Sequence, residues 1–199
     1  MDEMLRPRWI APPRGACAPP SPGTVDLWRM DALPGARREV RASQREAARG
    51  ILGRYVSEGD ARLVRGMHGK PAFDPPLVRF SISHSECVLL VAVCADAELG
   101  VDVELVRPRR PVVALARRTW GEEEAAALQA LPPERRAEWF HRAWTRHEAA
   151  RKCMGTGLAV TPDAPLPVAT DLDLGDGVPA ALARIGGPPA LVRGLQPGR

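Results

Sequence analysis

Two carboxylates lie two residues apart in a segment that alternates apolar and acidic residues. In "LGVDVEL", Asp102 and Glu104 alternate with Val101, Val103 and Leu105, so both acids face one side of a predicted strand, with α-carbons about 7 Å apart. Neighbouring carboxylates repel each other unless a cation lies between them, and hard oxygen ligands without His or Cys favour Mg²⁺ or Mn²⁺. The same alternation is typical of a strand face exposed to solvent, so the pattern leaves both interpretations open.

A second set of charged residues lies in "WTRHEAARKCMGTGL", residues 144–158. Trp144, Glu148 and Lys152 are spaced i, i+4 and i+8, so a helix projects all three from one face. Glu148 is therefore a candidate third carboxylate for the cation, and Lys152 is a positive charge one turn further on. An ordinary surface pair of glutamate and lysine has the same spacing, and this alternative also stays open.

Two further segments carry candidate phosphate ligands. In "FSISHS", residues 80–85, Ser83, His84 and Ser85 precede a buried strand, and we favour His84 as a phosphate donor over a buried structural imidazole. A hydrolase with His84 as base and Asp102 as its orienting group is a weaker alternative, because no G-x-S-x-G elbow supports it. In "HGKPAF", Lys70 lies in a rigid turn between glycine and proline, where a compact ammonium suits a phosphate, and an ordinary polar turn is the open alternative.

These residues need elements that hold them, and the hydrophobic pattern predicts strands and helices in alternation. A strand is predicted in "TVDLWRM" and a helix over residues 36–56, whose basic flank consists of Arg38, Arg41, Arg45 and Arg49. This flank is either a solvated face or a contact for an anion or an acidic partner. Strands that meet as a hairpin are predicted from residue 77 to residue 106, with a short turn at Asp96 to Glu98.

The rest of the chain is predicted to be helical first and then to form short strands. After a Pro/Arg-rich break at residues 107–111 come helical runs in "VVALARRTW" and "EEEAAALQAL", and then a long helix over residues 134–154 that Gly155 ends. The tail from Thr161 indicates a small antiparallel sheet. We therefore expect two α+β halves, residues 1–99 and 100–199, joined near residue 100.

Composition limits the kind of protein. The 199 residues are 45% apolar, which suits a globular chain with a buried core, and a net charge of +4 is too mild to demand a nucleic-acid partner. Four cysteines without CxxC spacing argue against structural zinc and against a disulfide framework. The longest apolar run, Cys87 to Ala95, is too short to cross a bilayer. We expect a cytoplasmic monomer without nucleic-acid or membrane partners.

Taken in order, "GKP", "FSISHS", "GVDVE" and "WTRHEAARK...GTGL" resemble the motif series of the Sfp-type 4'-phosphopantetheinyl transferases. Four motifs in one order, over Gly69 to Leu158, make the resemblance specific, and it covers about half of the chain. It implies a pseudo-dimer of two similar α+β halves, with coenzyme A and Mg²⁺ in the cleft between them.

The resemblance also implies roles for individual residues. Asp102, Glu104 and Glu148 match the acids that hold the metal, Glu148 and Lys152 match the catalytic residues, and Lys70, Ser83, His84 and Arg49 match positions that contact coenzyme A. Carrier proteins present acidic helices, so Arg38, Arg41 and Arg45 of the basic flank are expected to steer them by long-range charge.

The implied activity transfers the 4'-phosphopantetheine moiety of coenzyme A to a serine of an apo acyl, peptidyl or aryl carrier protein of fatty-acid, polyketide or nonribosomal-peptide synthesis, releasing 3',5'-ADP. Two features depart from the family pattern. His147 stands where relatives usually have lysine, and the chain ends at "LQPGR", where relatives commonly add a strand. They motivate a second hypothesis, a catalytically weak relative that binds coenzyme A or a carrier protein. A Mg²⁺-dependent nucleotide hydrolase is a third.

Overall fold

Strands dominate the first half of the chain. The computed structural model describes residues 4–57, 59–66, 69–155 and 166–196. Its first elements are β1 (Arg8–Ile10), β2 (Thr24–Asp31), α1 (Arg37–Leu52), β3 (Arg62–Arg65), β4 (Pro71–Asp74), β5 (Arg79–Ser85) and β6 (Val88–Cys94). The strand predicted in "TVDLWRM", the helix with the basic flank and the hairpin of β5 with β6 are confirmed.

Helices dominate the middle of the second half. Its elements are β7 (Leu99–Val103), α2 (Val112–Trp120), α3 (Glu122–Ala130), α4 (Pro133–Met154), β8 (Val168–Asp171), β9 (Ala180–Arg184) and β10 (Leu191–Leu195). The long predicted helix is α4, which begins with a proline in its first turn, where a missing N–H is tolerated. Gly155 ends it with φ of 64°, a left-handed conformation that suits glycine. Residues 156–158 of the "GTGL" motif lie outside the described residues.

The strands form two main sheets. The larger has the order β1-β10-β2-β6-β5, in which β10 runs parallel to both of its neighbours. The smaller is antiparallel, with the order β7-β9-β8, so the antiparallel sheet predicted for the tail is formed by β8 and β9. After the turn that follows β6, β7 pairs with β9 and so begins the second sheet instead of extending the hairpin. β3 and β4 form a separate two-stranded sheet.

Apolar side chains hold the layers together. One cluster joins β2 and β6 of the larger sheet to β7 and β9 of the smaller sheet, and it contains Leu27, Leu90, Val101 and Leu182. A second cluster fills the space between α1 and the opposite face of the larger sheet. The two sheets therefore share one core, and β7 lies where they meet.

Helix α4 packs closely against β7 because the contact residues are small. A Cβ atom built on Gly100 would overlap the backbone of Ala149 and Cys153, so only glycine permits this approach. On the same side of α4, Ala149 and Cys153 pack against Ala181 and Ala183 of β9. The close contact places the last turns of α4 beside the acids of "GVDVE".

The α+β class predicted from the sequence is confirmed. The likeness of the two halves and the division near residue 100 stay predictions. In the part of the chain that the structure describes, no helix has both the length and the apolar character needed to cross a membrane.

Candidate active site

Three buried serines of β5 connect the two sheets. Strands β5 and β7 lie at the edges of different sheets, and alternate serine hydroxyls of β5 accept hydrogen bonds from alternate backbone N–H groups of the β7 segment. Ser81 accepts from Val101 at 3.0 Å, Ser83 from Val103 at 3.3 Å and Ser85 from Leu105 at 3.0 Å. We call these three residues the serine ladder. It satisfies N–H groups that an unpaired sheet edge would leave open.

The serine ladder also orients the two acids of "GVDVE". Ser83 donates a hydrogen bond to Asp102 Oδ1 at 2.7 Å, and Ser85 donates to Glu104 Oε2 at 3.1 Å. Val101 and Val103 point into the shared core on the other side of β7, as the alternation predicts. Asp102 is only 5% exposed, so the alternative of a solvated strand face is wrong for this residue.

Lys152 of α4 completes a three-residue contact with Asp102 and Ser83. Its ammonium lies 2.7 Å from Asp102 Oδ1 and 2.8 Å from Ser83 Oγ. The Ser83 hydroxyl then accepts two hydrogen bonds and donates one, which fills its capacity. Three segments far apart in the sequence thus meet at one point, whereas the role of Ser83 in binding coenzyme A stays a prediction.

The other two predicted acids lie on different sides of this contact. Glu104 borders a cleft of about 890 Å³, and Glu148 borders a smaller pocket of about 310 Å³ together with Lys152 and Lys70. The Glu148 carboxylate accepts a hydrogen bond from Arg151 at 3.2 Å. Among the described residues, no group of three His, Cys, Asp or Glu side chains is arranged to hold a metal ion. The three-acid metal site therefore stays a prediction.

Part of the acid set nevertheless fits a divalent cation. Asp102 Oδ2 is buried and has no hydrogen-bond partner among the described residues, and a buried oxygen without a partner is costly. Glu104 Oε1 forms a long ion pair with Arg110, at 3.8 Å. Both are hard oxygen donors of the kind that Mg²⁺ prefers. Asp102 and Glu104 are thus suited to hold such an ion, and Glu148 lies in the neighbouring pocket.

Lys70 is held by the protein at three points. Its ammonium contacts Glu98 Oε2 at 2.6 Å and donates to the backbone oxygens of Leu99 at 3.1 Å and Cys153 at 2.9 Å. These contacts use its three protons and fasten the start of β4 to β7 and to the end of α4. Lys70 therefore has a structural role that the sequence did not reveal, and its contact with a coenzyme A phosphate stays a prediction.

The larger cleft contains more basic than acidic side chains, with three arginines against Glu86 and Glu104. Residues of α1 line one side of it, namely Arg37, Arg41 and the buried Gln44, and His84 lines the other side. His84 is exposed to the cleft, but desolvation of its ring is the main cause that lowers its pKa below the ordinary value of 6.5. The positive charges of Arg41 and Lys152 lower it further, whereas a backbone hydrogen bond and the charge of Asp102 raise it. The imidazole is therefore mainly neutral at pH 7 and offers one N–H donor.

The structure adds two arginines to this cleft that the sequence did not single out. Arg37 and Arg107 border it beside Arg41, which the sequence placed only in the basic flank. The spacing of Arg37 and Arg41, one helical turn, was the available signal for α1. Arg49 is exposed two turns further along α1, roughly 12 Å from Arg41, and does not border the cleft, so its nucleotide contact stays a prediction.

An aromatic cluster packs against the turns of α4 that come before Glu148. Trp144 stacks on Phe140 with ring centroids 5.6 Å apart, and Trp120 of α2 packs against both rings. Trp120 Nε1 donates to His147 Nδ1 at 3.4 Å, and burial lowers the pKa of His147 below its ordinary value. His147, where the resemblance leads us to expect lysine, is therefore mainly neutral at pH 7.

Comparison with known proteins gives matches over the same segments. The model of the 4'-phosphopantetheinyl transferase superfamily matches residues 98–184, which include both acids of "GVDVE" and the whole of α4. The chain is 35% identical over 133 residues to the 4'-phosphopantetheinyl transferase HetI of Nostoc sp., an alignment that covers 64% of this chain and 56% of HetI.

The alignments with two further relatives cover a larger share of those proteins than the alignment with HetI does. The chain is 34% identical over 141 residues to the 4'-phosphopantetheinyl transferase AcpT of Escherichia coli K12, which covers 70% of this chain and 68% of that protein. It is 36% identical over 138 residues to AcpT of Salmonella typhi, which covers 67% of this chain and 71% of that protein.

Proposed function

This chain belongs to the 4'-phosphopantetheinyl transferase superfamily, and from that membership we propose that it transfers 4'-phosphopantetheine from coenzyme A to a serine of an apo carrier protein. The family predicted from the four motifs is confirmed. The observation that carries the proposal is the contact of Asp102, Lys152 and Ser83, because it joins three of those motifs at one point.

The two pockets suit different parts of the reaction. The larger cleft presents the guanidinium groups of Arg37, Arg41 and Arg107, and such groups can bind phosphate oxygens in pairs of parallel hydrogen bonds. Arg107 also forms an ion pair with Glu86 of the same cleft, at 3.8 Å. The smaller pocket presents Glu148 and Lys152 side by side. The coenzyme A phosphates would bind along the basic cleft, and the carrier serine would approach from the smaller pocket.

Glu148 would act as the general base. It lies on the helix face predicted from the sequence, and the hydrogen bond from Arg151 fixes the orientation of its carboxylate. Directly or through a water molecule, it would take the proton from the carrier serine as the oxygen attacks phosphorus. Lys152 would stabilise the charge on the departing 3',5'-ADP, because phosphoryl transfer depends mainly on positioning and charge stabilisation.

A divalent ion would be held by Asp102 and Glu104, and it would supply charge neutralisation at the pyrophosphate. The serine ladder keeps both carboxylates on the same side of β7 for this purpose. The exposed arginines of the basic flank, Arg38, Arg41 and Arg45, would attract acidic carrier proteins, an effect that added salt should weaken.

Incubation of the protein with an apo carrier protein, coenzyme A and Mg²⁺ tests the proposal. Intact mass spectrometry of the carrier should show the gain of one phosphopantetheine group, with an equal amount of 3',5'-ADP in the supernatant. Coenzyme A binding without that mass gain would indicate the catalytically weak relative. Breakdown of coenzyme A in the absence of carrier would indicate a hydrolase.

Replacement of the proposed base sharpens this assay. Glu148→Gln keeps the shape of the side chain and removes its basicity, so the transfer rate should fall by a factor of about 10² to 10⁴. Glu138→Gln is the matched control, since Glu138 lies on α4 and pairs with Arg142 in an exposed position. Equal rates for the two variants would remove Glu148 from the proposed mechanism.

A further inference from the structure

Lysine is rare in this chain, and both lysines are used at the contact between β7 and α4. The sequence has 28 Lys and Arg residues, of which only Lys70 and Lys152 are lysines. Lys70 is bound to backbone oxygens of Leu99 and Cys153, whereas Lys152 is bound to the side chains of Asp102 and Ser83. The ammonium of Lys152 thus lies on a carboxylate that the proposed function assigns to a metal ion.

We propose that Lys152 is a displaceable internal cation: its ammonium neutralises Asp102 until a divalent ion binds this carboxylate, and the displaced lysine then turns into the smaller pocket beside Glu148. The inference rests on the proposed function, because it uses the same acids. It adds that metal binding and the placement of the catalytic lysine are one coupled event.

The electrostatics of the contact support a competition. The Asp102 side chain is 8% exposed, so its charge needs a partner close by, and Lys152 at 2.7 Å supplies one. A divalent ion on the same carboxylate would repel the ammonium strongly at such short range. The buried Oδ2 of Asp102, which has no hydrogen-bond partner in the described ranges, gives the incoming ion a first oxygen.

The exposure of Lys152 allows it to leave. Its side chain is 32% exposed and borders the smaller pocket beside Glu148, so a rotation of the flexible stem moves the ammonium into that pocket. An arginine would bind Asp102 through two parallel hydrogen bonds and would be harder to displace. Arginine supplies nearly all the positive side chains of this sequence, but lysine stands at position 152, where release is needed.

Binding of Mn²⁺ alone tests the competition without any turnover. Mn²⁺ is titrated into the free protein, and the unbound ion is measured by electron paramagnetic resonance. Lys152→Met, which removes the competing charge, should bind Mn²⁺ about fivefold more tightly than the wild type. Lys152→Arg should bind it more weakly than the wild type. Arg142→Met removes one positive charge elsewhere on α4 and should leave the affinity within about twofold.

Two further results locate the effect. Adding Asp102→Asn to Lys152→Met should abolish the gain in affinity, and Mn²⁺ should raise the melting temperature of Lys152→Met more than that of the wild type. The proposal is overturned if Lys152→Met binds Mn²⁺ no more tightly than the wild type, or if the gain survives Asp102→Asn. Should Lys152→Met fail to fold, Lys152→Arg decides, since an affinity equal to that of the wild type also overturns the proposal.

The carrier assay separates this inference from the proposed function. Transfer by the wild type together with unchanged Mn²⁺ affinity in Lys152→Met would remove the displaceable lysine and keep the transferase. No transfer by the wild type, with the predicted changes in Mn²⁺ affinity, would remove the transferase and keep the competition at Asp102.

Discussion

The two ends of helix α4 have different surroundings. From Phe140 to His147 the helix packs against aromatic rings, and Phe140 itself is fully buried. From Glu148 onward the small residues Ala149 and Cys153 still pack against β7 and β9, but the charged groups of Glu148 and Lys152 are partly exposed, and Lys152 contacts polar side chains of β5 and β7. One helix is thus anchored by aromatic contacts at one end and presents charged groups at the other. Substitutions at the aromatic end should therefore mainly lower stability, and substitutions of the charged groups should mainly lower activity.

The largest loss of stability should come from the aromatic end. Phe140→Ala leaves a cavity among Trp120, Trp144 and the apolar residues of α2 and α3, and should lower the free energy of unfolding by about 3–5 kcal/mol. Urea unfolding followed by circular dichroism measures this. Trp139→Ala is the control, because Trp139 is the next residue along α4 and is 38% exposed. An equal loss in both variants would contradict the assignment of the aromatic cluster as the anchor of α4.

The next largest loss of stability should come from the close contact between α4 and β7. Gly100→Ala forces a methyl group against the backbone of Ala149 and Cys153, and should cost about 1–3 kcal/mol in unfolding free energy as α4 moves away from β7. Transfer activity should fall along with it, since the last turns of α4, which carry Glu148 and Lys152, move away from the acids of β7. Gly50→Ala in α1 is the matched control, because its new methyl group meets no atom within 4 Å and alanine favours helix. Full activity in Gly100→Ala would show that the close approach does not position the site.

The smallest expected effect is a pH dependence of the unfolding free energy, caused by His141 at the aromatic end of α4. His141 is fully buried, and burial is the main cause that lowers its pKa below the ordinary value of 6.5. The charges of Arg110 and Arg107 lower it further, whereas the contact with the Ala137 backbone oxygen and the charge of Glu104 raise it. The Nε2 atom of His141 has no hydrogen-bond partner in the described part of the chain. Because the unfolded state then binds the proton more tightly, His141 stabilises the fold above about pH 6.5, and this contribution is lost as pH falls through the lowered pKa.

Unfolding free energies measured at several pH values, for the wild type and for His141→Gln, test this sign. The wild type should lose more stability than the variant between about pH 7 and pH 5. Part of the loss should remain in the variant, because His84 and His147 also have lowered pKa values. Parallel pH curves would show that His141 does not contribute.

Local periodicity predicted the residues that face the site. The two-residue alternation placed Asp102 and Glu104 on one side of β7, and the spacing of Glu148 and Lys152 placed both on one face of α4. Such patterns are visible in sequence because side-chain direction follows from the geometry of one element. They explain why α4, β7 and the α+β class could be predicted.

Contacts between elements could not be predicted in the same way. The serine ladder joins residues about 20 positions apart, Lys70 joins segments 83 positions apart, and β10 enters the larger sheet between β1 and β2. These pairings depend on how whole layers pack, which one sequence does not encode in any short pattern. The same reason explains why Arg37 and Arg107 were not assigned to the basic cleft.

The most direct test of the account is the rate at which Asp102→Ala modifies an apo carrier protein, relative to the wild type, at equal concentrations of folded enzyme. Asp74→Ala, at an exposed ion pair with Arg62, is the control. If the contact of Asp102 with Lys152 and Ser83 forms the active site, Asp102→Ala should lose about a hundredfold or more of the rate while its circular dichroism stays unchanged. A folded Asp102→Ala variant whose rate equals that of Asp74→Ala would contradict it.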